Sequence, residues 1–132
     1  MSAIFVDTSG FYAILDGTDP YHAAALAAIG EAMAEARALH TTSYVVHEAW
    51  ALIQHRLGWP AVDALVDRLV PLCKVEHVMQ PLYALGAARC RQARQRHLSL
   101  TDCVSFEYMR SAGIRHAIAC DPHFLREGIV LL

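Results

Sequence analysis

The sequence predicts an α/β domain organised around a mainly parallel sheet, and three observations carry that expectation. Short apolar runs alternate with longer helical patterns along the whole chain, the order that parallel strands and crossover helices produce. The chain has 132 residues, enough for one domain and too few for two ordinary ones. Hydrophobic residues make up 55% and charged residues 18%, so a buried core can form and disorder is not expected. No linker, repeat or low-complexity run beyond an Ala-rich helix divides the chain, and residues 1–132 read as a single domain.

Each element has its own signal. Ala3–Val6 is an apolar run that reads as the first strand, and Thr8–Leu15 turns into a short helix. Asp19–Pro20 opens a second helix, with Asp as N-cap and Pro at the first helical position, covering Ala23–Ala38. Leu39–Thr42 is a short strand. Ser43 can cap a helix of Tyr44–Leu57 that Gly58 ends. Pro60 starts a helix to Val70, and Lys74–Val78 is a third strand. Pro81 starts a long helix to Arg96. Ser99 or Thr101 caps a helix from Asp102 to Ala112, ended by Gly113. Arg115–Cys120 is a fourth strand, Asp121–Pro122 repeats the cap-plus-Pro device, and Ile129–Leu132 is a last strand.

Composition removes several classes of function. Mean hydropathy is +0.28, yet no run of eighteen apolar residues exists, so a membrane-spanning helix is excluded. Met1–Val6 lacks a basic start and Asp7 interrupts the apolar run, so the chain reads as cytoplasmic without a signal peptide. Cys73, Cys90, Cys103 and Cys120 form no CxxC pair and no Cys/His zinc spacing; they read as buried thiols. The net charge is −2, without a basic tail for duplex binding. Ten of the eleven cationic residues are Arg and one is Lys74, and Arg pairs bidentately with phosphate, so a nucleic-acid partner stays open.

Four acids stand out by position. Asp7 ends the first strand, Glu48 lies in the first turns of the helix after the second strand, Asp102 opens a helix, and Asp121 ends the fourth strand. In an open parallel sheet, ligands bind beyond the carboxyl ends of the strands. Each acid also has a local explanation: Asp121 as an N-cap, Asp7 in an Asx-turn, Asp102 favoured by a helix N-terminus, Glu48 on a solvated face. Four carboxylates converging on one edge would raise one another's pKa, a cost that a divalent cation removes. Oxygen ligands without Cys or a paired His point to Mg²⁺ or Mn²⁺ rather than zinc.

The acids stand in the contexts Ile4-Phe5-Val6-Asp7-Thr8-Ser9, Thr42-Ser43-Tyr44-Val45-Val46-His47-Glu48, Leu100-Thr101-Asp102-Cys103-Val104-Ser105-Phe106 and Ala119-Cys120-Asp121-Pro122-His123-Phe124. In this order and spacing the chain resembles the PIN-domain family, most closely the VapC-type toxin ribonucleases of bacterial and archaeal toxin–antitoxin pairs. The resemblance covers essentially the whole chain. It implies a three-layer α/β/α fold with strand order 3-2-1-4-5 and Mg²⁺- or Mn²⁺-dependent cleavage of single-stranded RNA or of a loop in a structured RNA. The family's acidic quartet falls on Asp7, Glu48, Asp102 and Asp121, which makes these the expected catalytic and metal-binding residues. Its supporting hydroxyls fall on Thr8, Ser9 and Ser105. No position of the pattern is degraded. A small antitoxin encoded alongside and a homodimer are the partners the resemblance implies.

The chemistry this permits is metal-assisted phosphodiester hydrolysis, with Asp7 and Asp102 as direct ligands, Glu48 ligating or orienting water, and Asp121 acting through water. Ser105 shares a helix face with Asp102 and either supports it or bonds its own backbone. Arg89, Arg91, Arg94 and Arg96 form an expected helical cluster, either a phosphate stripe or a solvated helix end. Tyr12, Tyr44 and Trp59 read as core, with stacking on unpaired RNA bases as the alternative, and His22, His47 and His123 read as surface or capping residues, with His22 or His123 near the site as the alternative. A phosphatase with a nucleophilic Asp7 would need an acid where Ser9 stands, and a receiver-like domain would need a Lys at a strand end. The alternative within the same fold is a scaffold that binds RNA or protein without cutting.

Overall fold

The computed structural model describes residues 2–132. Five parallel strands form one sheet in the order β3-β2-β1-β4-β5. They are β1 Ile4–Val6, β2 Leu39–Thr42, β3 Cys73–Glu76, β4 His116–Ile118 and β5 Val130–Leu131. The helices between them are α1 Thr8–Leu15, α2 His22–Ala34, α3 Ser43–Arg56, α4 Trp59–Ala64, α5 Gln80–Ala93, α6 Leu100–Ala112 and α7 Pro122–Arg126. Helices cover both faces of the sheet. On one face Ile4 lines a small cavity together with Ala28 and Ala32 of α2. On the other, Tyr108 of α6 packs on Phe5 with ring centroids 6.2 Å apart, and its hydroxyl lies 2.7 Å from His40 Nδ1. The expected three-layer α/β/α architecture and strand order are therefore present. The fully buried Ile4, Phe5 and Val6 run through the middle of the core, as a strand covered on both faces requires.

Several boundaries differ from the sequence expectation, each for an identifiable physical reason. The Asp19–Pro20 device makes a turn before α2: the Asp19 carboxylate accepts from Tyr21 N, and the helix begins at His22. It ends at Ala34 rather than Ala38 because Ala36 is left-handed, at φ 55°. Thr42, not Ser43, caps α3. Ser43 Oγ instead accepts Val78 N–H at 2.9 Å, which draws the chain out of β3 after Glu76. The expected helix from Pro60 to Val70 loosens after Ala64 into a π-helical turn over Leu65–Leu69 and a 3₁₀ turn over Val70–Leu72; Pro71 has no N–H with which to continue it. β4 ends at Ile118 because Cys120 N–H donates to Ser9 Oγ rather than to the ladder. Cys103 is buried while Cys73, Cys90 and Cys120 are half-buried, and Trp59, expected in the core, is 56% exposed.

Candidate metal and active site

The carboxyl ends of β1 and β4 lie side by side, with Val6 paired to Ile118, so Asp7 and Asp121 leave the sheet as neighbours. Asp7 is the N-cap of α1. Its Oδ2 accepts from Ser9 N–H at 3.3 Å and from Ser9 Oγ–H at 2.8 Å. The same Ser9 oxygen accepts Cys120 N–H at 2.9 Å, and so ties the Asp7 turn to the end of β4. Gly10 permits this approach, because a Cβ there would lie 2.2 Å from Ile118 O. The Thr8 hydroxyl contributes no bond to Asp7; it is buried without a partner among the described residues.

Asp102 arrives from a different direction. It is the third residue of α6, in a capping box: Ser99 Oγ accepts Asp102 N–H at 3.0 Å, and Asp102 Oδ2 accepts Ser99 N–H at 3.1 Å. The helix thus starts two residues earlier than expected, with Ser99 as the cap. Asp121 is the N-cap of α7, and its Oδ1 accepts from both His123 N–H at 2.9 Å and His123 Nδ1 at 2.8 Å. Ligand atoms of Asp102, Asp121 and His123 all lie within 4.8 Å of one another. Glu48, half-buried on α3, is the most loosely held of the four acids.

The electrostatics join these groups into one cluster. Burial pushes the Asp7 carboxyl up to about 7, with the Asp102 charge adding to it and the Ser9 hydrogen bonds opposing it. Asp102 is likewise raised, first by burial and then by the charges of Asp121 and Glu48, against the Ser99 bonds. Asp102, Asp121 and His123 thus come together in one tight group, while Asp7 and Glu48 lie outside that group and are linked to Asp102 through their charge. Ser105 does not join them; its hydroxyl is turned onto its own helix and donates to Thr101 O at 2.9 Å.

The donor set suits a hard divalent cation. Asp7 Oδ1 is buried with no hydrogen-bond partner among the described residues, the carboxylates repel one another, and oxygen donors outnumber the one imidazole. His123 is the residue that sequence reasoning undervalues. Its position two residues past an Asp N-cap brings its ring back over the cap, and the spacing Asp121-Pro122-His123 carries that signal.

Elsewhere along α3, Ser43, His47, Trp50 and Gln54 face Val75 and His77 across an apolar groove of about 660 Å³ that none of the four acids lines. Trp50 and Trp59 meet edge to face near its rim, 6.4 Å apart.

The chain is similar throughout its length to proteins of known activity. The 23S rRNA-specific endonuclease VapC20 of Mycobacterium tuberculosis, in two strains, is 33% identical over 128 residues, covering 96% of this chain and 95% of the relative. The crystal structure of M. tuberculosis VapC20, described as a Sarcin-Ricin loop cleaving toxin, superposes with a TM-score of 0.83 at 32% identity, over 97% of both chains. FitAcB from Neisseria gonorrhoeae shares the fold with a TM-score of 0.68 at 13% identity, over 98% of this chain and 96% of that one. The sequence pattern of the PIN domain matches residues 4–128, and with the acidic edge in place the chain belongs to the PIN-domain family.

Proposed function

We propose that this protein is a divalent-metal-dependent endoribonuclease, the toxin of a toxin–antitoxin pair, that hydrolyses phosphodiester bonds in single-stranded RNA or in a loop of a structured RNA. The observation that carries the reading is the group of Asp102, Asp121 and His123, whose ligand atoms lie within 4.8 Å of one another, with the charges of Asp121 and Glu48 acting on Asp102 and that of Asp102 acting on the buried Asp7. The likeness to VapC20 supports RNA as substrate and, with it, a cytoplasmic location. Residues 1–132 act as one PIN-like domain in this account.

Asp7, Asp102 and Asp121, with Glu48, would hold Mg²⁺ or Mn²⁺, and His123 adds a nitrogen donor or keeps Asp121 in place. A bound divalent ion supplies a water of lowered pKa and offsets negative charge on the phosphate. The chain's own part is to preorganise its donors. Ser9 fixes the Asp7 carboxylate against β4, Ser99 fixes Asp102, and burial keeps competing water from Asp7. Thr8 has an unused buried hydroxyl beside Asp7, and Ser105 supports Asp102 indirectly by bracing the first turn of α6.

A protein partner is part of the reading. The apolar groove along α3 and the exposed Trp59, Leu72 and Met79 offer surface to a cognate antitoxin or a second copy. The decisive assay is cleavage of a single-stranded RNA pool. Cutting that appears with Mg²⁺ or Mn²⁺ and disappears with EDTA is expected; metal-insensitive binding without cutting would favour the scaffold.

A further inference from the structure

The four arginines that the sequence groups as one helical cluster separate in the fold. Arg89 is engaged internally: Nε donates to Glu107 at 2.8 Å, Nη1 donates to Glu127 at 2.5 Å, and the guanidinium lies 5.6 Å from the Phe106 ring centroid. α5 stops at Ala93 because Arg94 is left-handed, at φ 54°. Arg94 and Arg96 therefore belong to the connection into α6, not to a helix face.

That connection is braced. Leu98 N–H donates to Gln95 O at 3.2 Å and closes a turn. Leu98 O accepts from Cys90 Sγ at 3.5 Å. Ser99 is locked to Asp102 by the capping box. Two residues, His97 and Leu98, separate Arg96 from Ser99, a Cα span of at most about 11 Å. Both arginines thus stand on the short, braced connection that leads into the α6 N-terminus carrying Asp102. Both arginines are exposed, and among the described residues no carboxylate lies within ion-pair distance of either.

The remaining cations lie elsewhere. Arg37 and Arg115 precede β2 and β4, Arg68 precedes β3, and Lys74 lies in its first half. Arg56 and Arg110 stand at the far ends of α3 and α6, and Arg126 leaves with α7. These positions face the amino edge of the sheet or lead toward it. Four carboxylates occupy the carboxyl edge, and the net charge is −2, so the molecule as a whole offers a polyanion no attraction. Arg94 and Arg96 instead stand on the connection into α6, whose first turn carries Asp102, with Arg91 on the last turn of α5 before them.

We propose that Arg94 and Arg96 grip backbone phosphates of the RNA on the Asp102 side of the cleft and act as positioning residues, an inference that rests on the nuclease reading above. Guanidinium pairs with phosphate bidentately, and such contacts set register without reading sequence. Arg89 has no part in this, because both its carboxylate partners belong to the fold.

The test compares Arg94→Gln/Arg96→Gln with Arg110→Gln/Arg115→Gln, which removes equal charge at the amino edge. Binding of a labelled single-stranded oligoribonucleotide is measured in EDTA across a range of KCl concentrations, and steady-state cleavage is measured with Mn²⁺. The first variant is expected to bind about tenfold more weakly at low salt, with a log–log salt slope shallower by about 1.4 for two single-strand phosphate contacts. Its KM rises while kcat stays within about twofold, and Arg94→Lys/Arg96→Lys regains most of the salt slope. The amino-edge variant stays near wild type. Equal effects of the two Gln variants, or a fall in kcat at unchanged KM, would overturn the proposal, as would absence of RNA binding by wild type. RNA binding with the expected salt slopes but no cutting by wild type would overturn the nuclease reading and leave the phosphate contacts standing.

Discussion

Burial sets the chemistry of Asp7 more than charge crowding does. The side chain is 3% exposed, and its carboxyl is raised from 3.8 to about 7, chiefly by the loss of water. A carboxyl whose folded value lies above its unfolded one stabilises the fold fully below the unfolded value. That contribution is lost as pH rises through the folded one, here between about pH 4 and about pH 7. Metal-free protein is therefore expected to melt higher at pH 5 than at pH 8, by at least about 3 °C, and Asp7→Asn to flatten that difference. Melting curves in EDTA across this range check it; identical profiles for the two proteins would contradict it. Mn²⁺ is expected to raise Tm more at pH 8, where Asp7 is ionised, than at pH 5. Asp7, Asp102 and Asp121 are legible in the sequence because each sits at or near an element start with a capping signature, whereas Glu48, inside α3, stands out only through the family resemblance. The second bond of Ser9 is not, because Cys120 lies 111 residues away in sequence, and no local pattern reports such a contact.

At the scale of elements, the site depends on how closely α1 and β4 approach. Gly10→Ala would place a Cβ 2.2 Å from the Ile118 carbonyl oxygen, so α1 would have to lift off the strand that carries Asp121. The expected cost is about 1–3 kcal/mol of stability, read from denaturant unfolding, together with weaker metal binding. Gly30→Ala supplies the opposite case. Gly30 lies within α2, and a Cβ added there would meet nothing within 4 Å. Ala at this position is expected to stabilise by about 0.5–1 kcal/mol. Equal effects of the two substitutions would contradict this account of the approach. Element types and order are readable from periodicity, Pro and Gly. Their ends differ from expectation where a tertiary bond takes the deciding N–H: Val78 to Ser43, and Cys120 to Ser9. The Arg cluster comes apart for a related reason. A left-handed Arg94 ends α5 inside the run, and side-chain spacing does not announce it.

Over the whole molecule, the strand order brings the ends of β1 and β4 together and leaves the helix N-termini carrying Glu48 and Asp102 at the same edge. The family pattern makes this topology expected, and the pairing of Val6 with Ile118 realises it. Asp102→Asn separates a role of these acids in chemistry from a role in capping. Asn can still accept from Ser99 N–H in the capping box, so a role limited to the cap implies a stability change under about 1 kcal/mol and unchanged activity. The account predicts the same small stability change with cleavage of single-stranded RNA in Mg²⁺ or Mn²⁺ reduced by about two orders of magnitude or more, the scale of losing a charged group that stabilises the transition state. The measurement is that cleavage rate, wild type against Asp102→Asn, beside the two melting curves. A folded Asp102→Asn protein that cuts RNA at near the wild-type rate would contradict it.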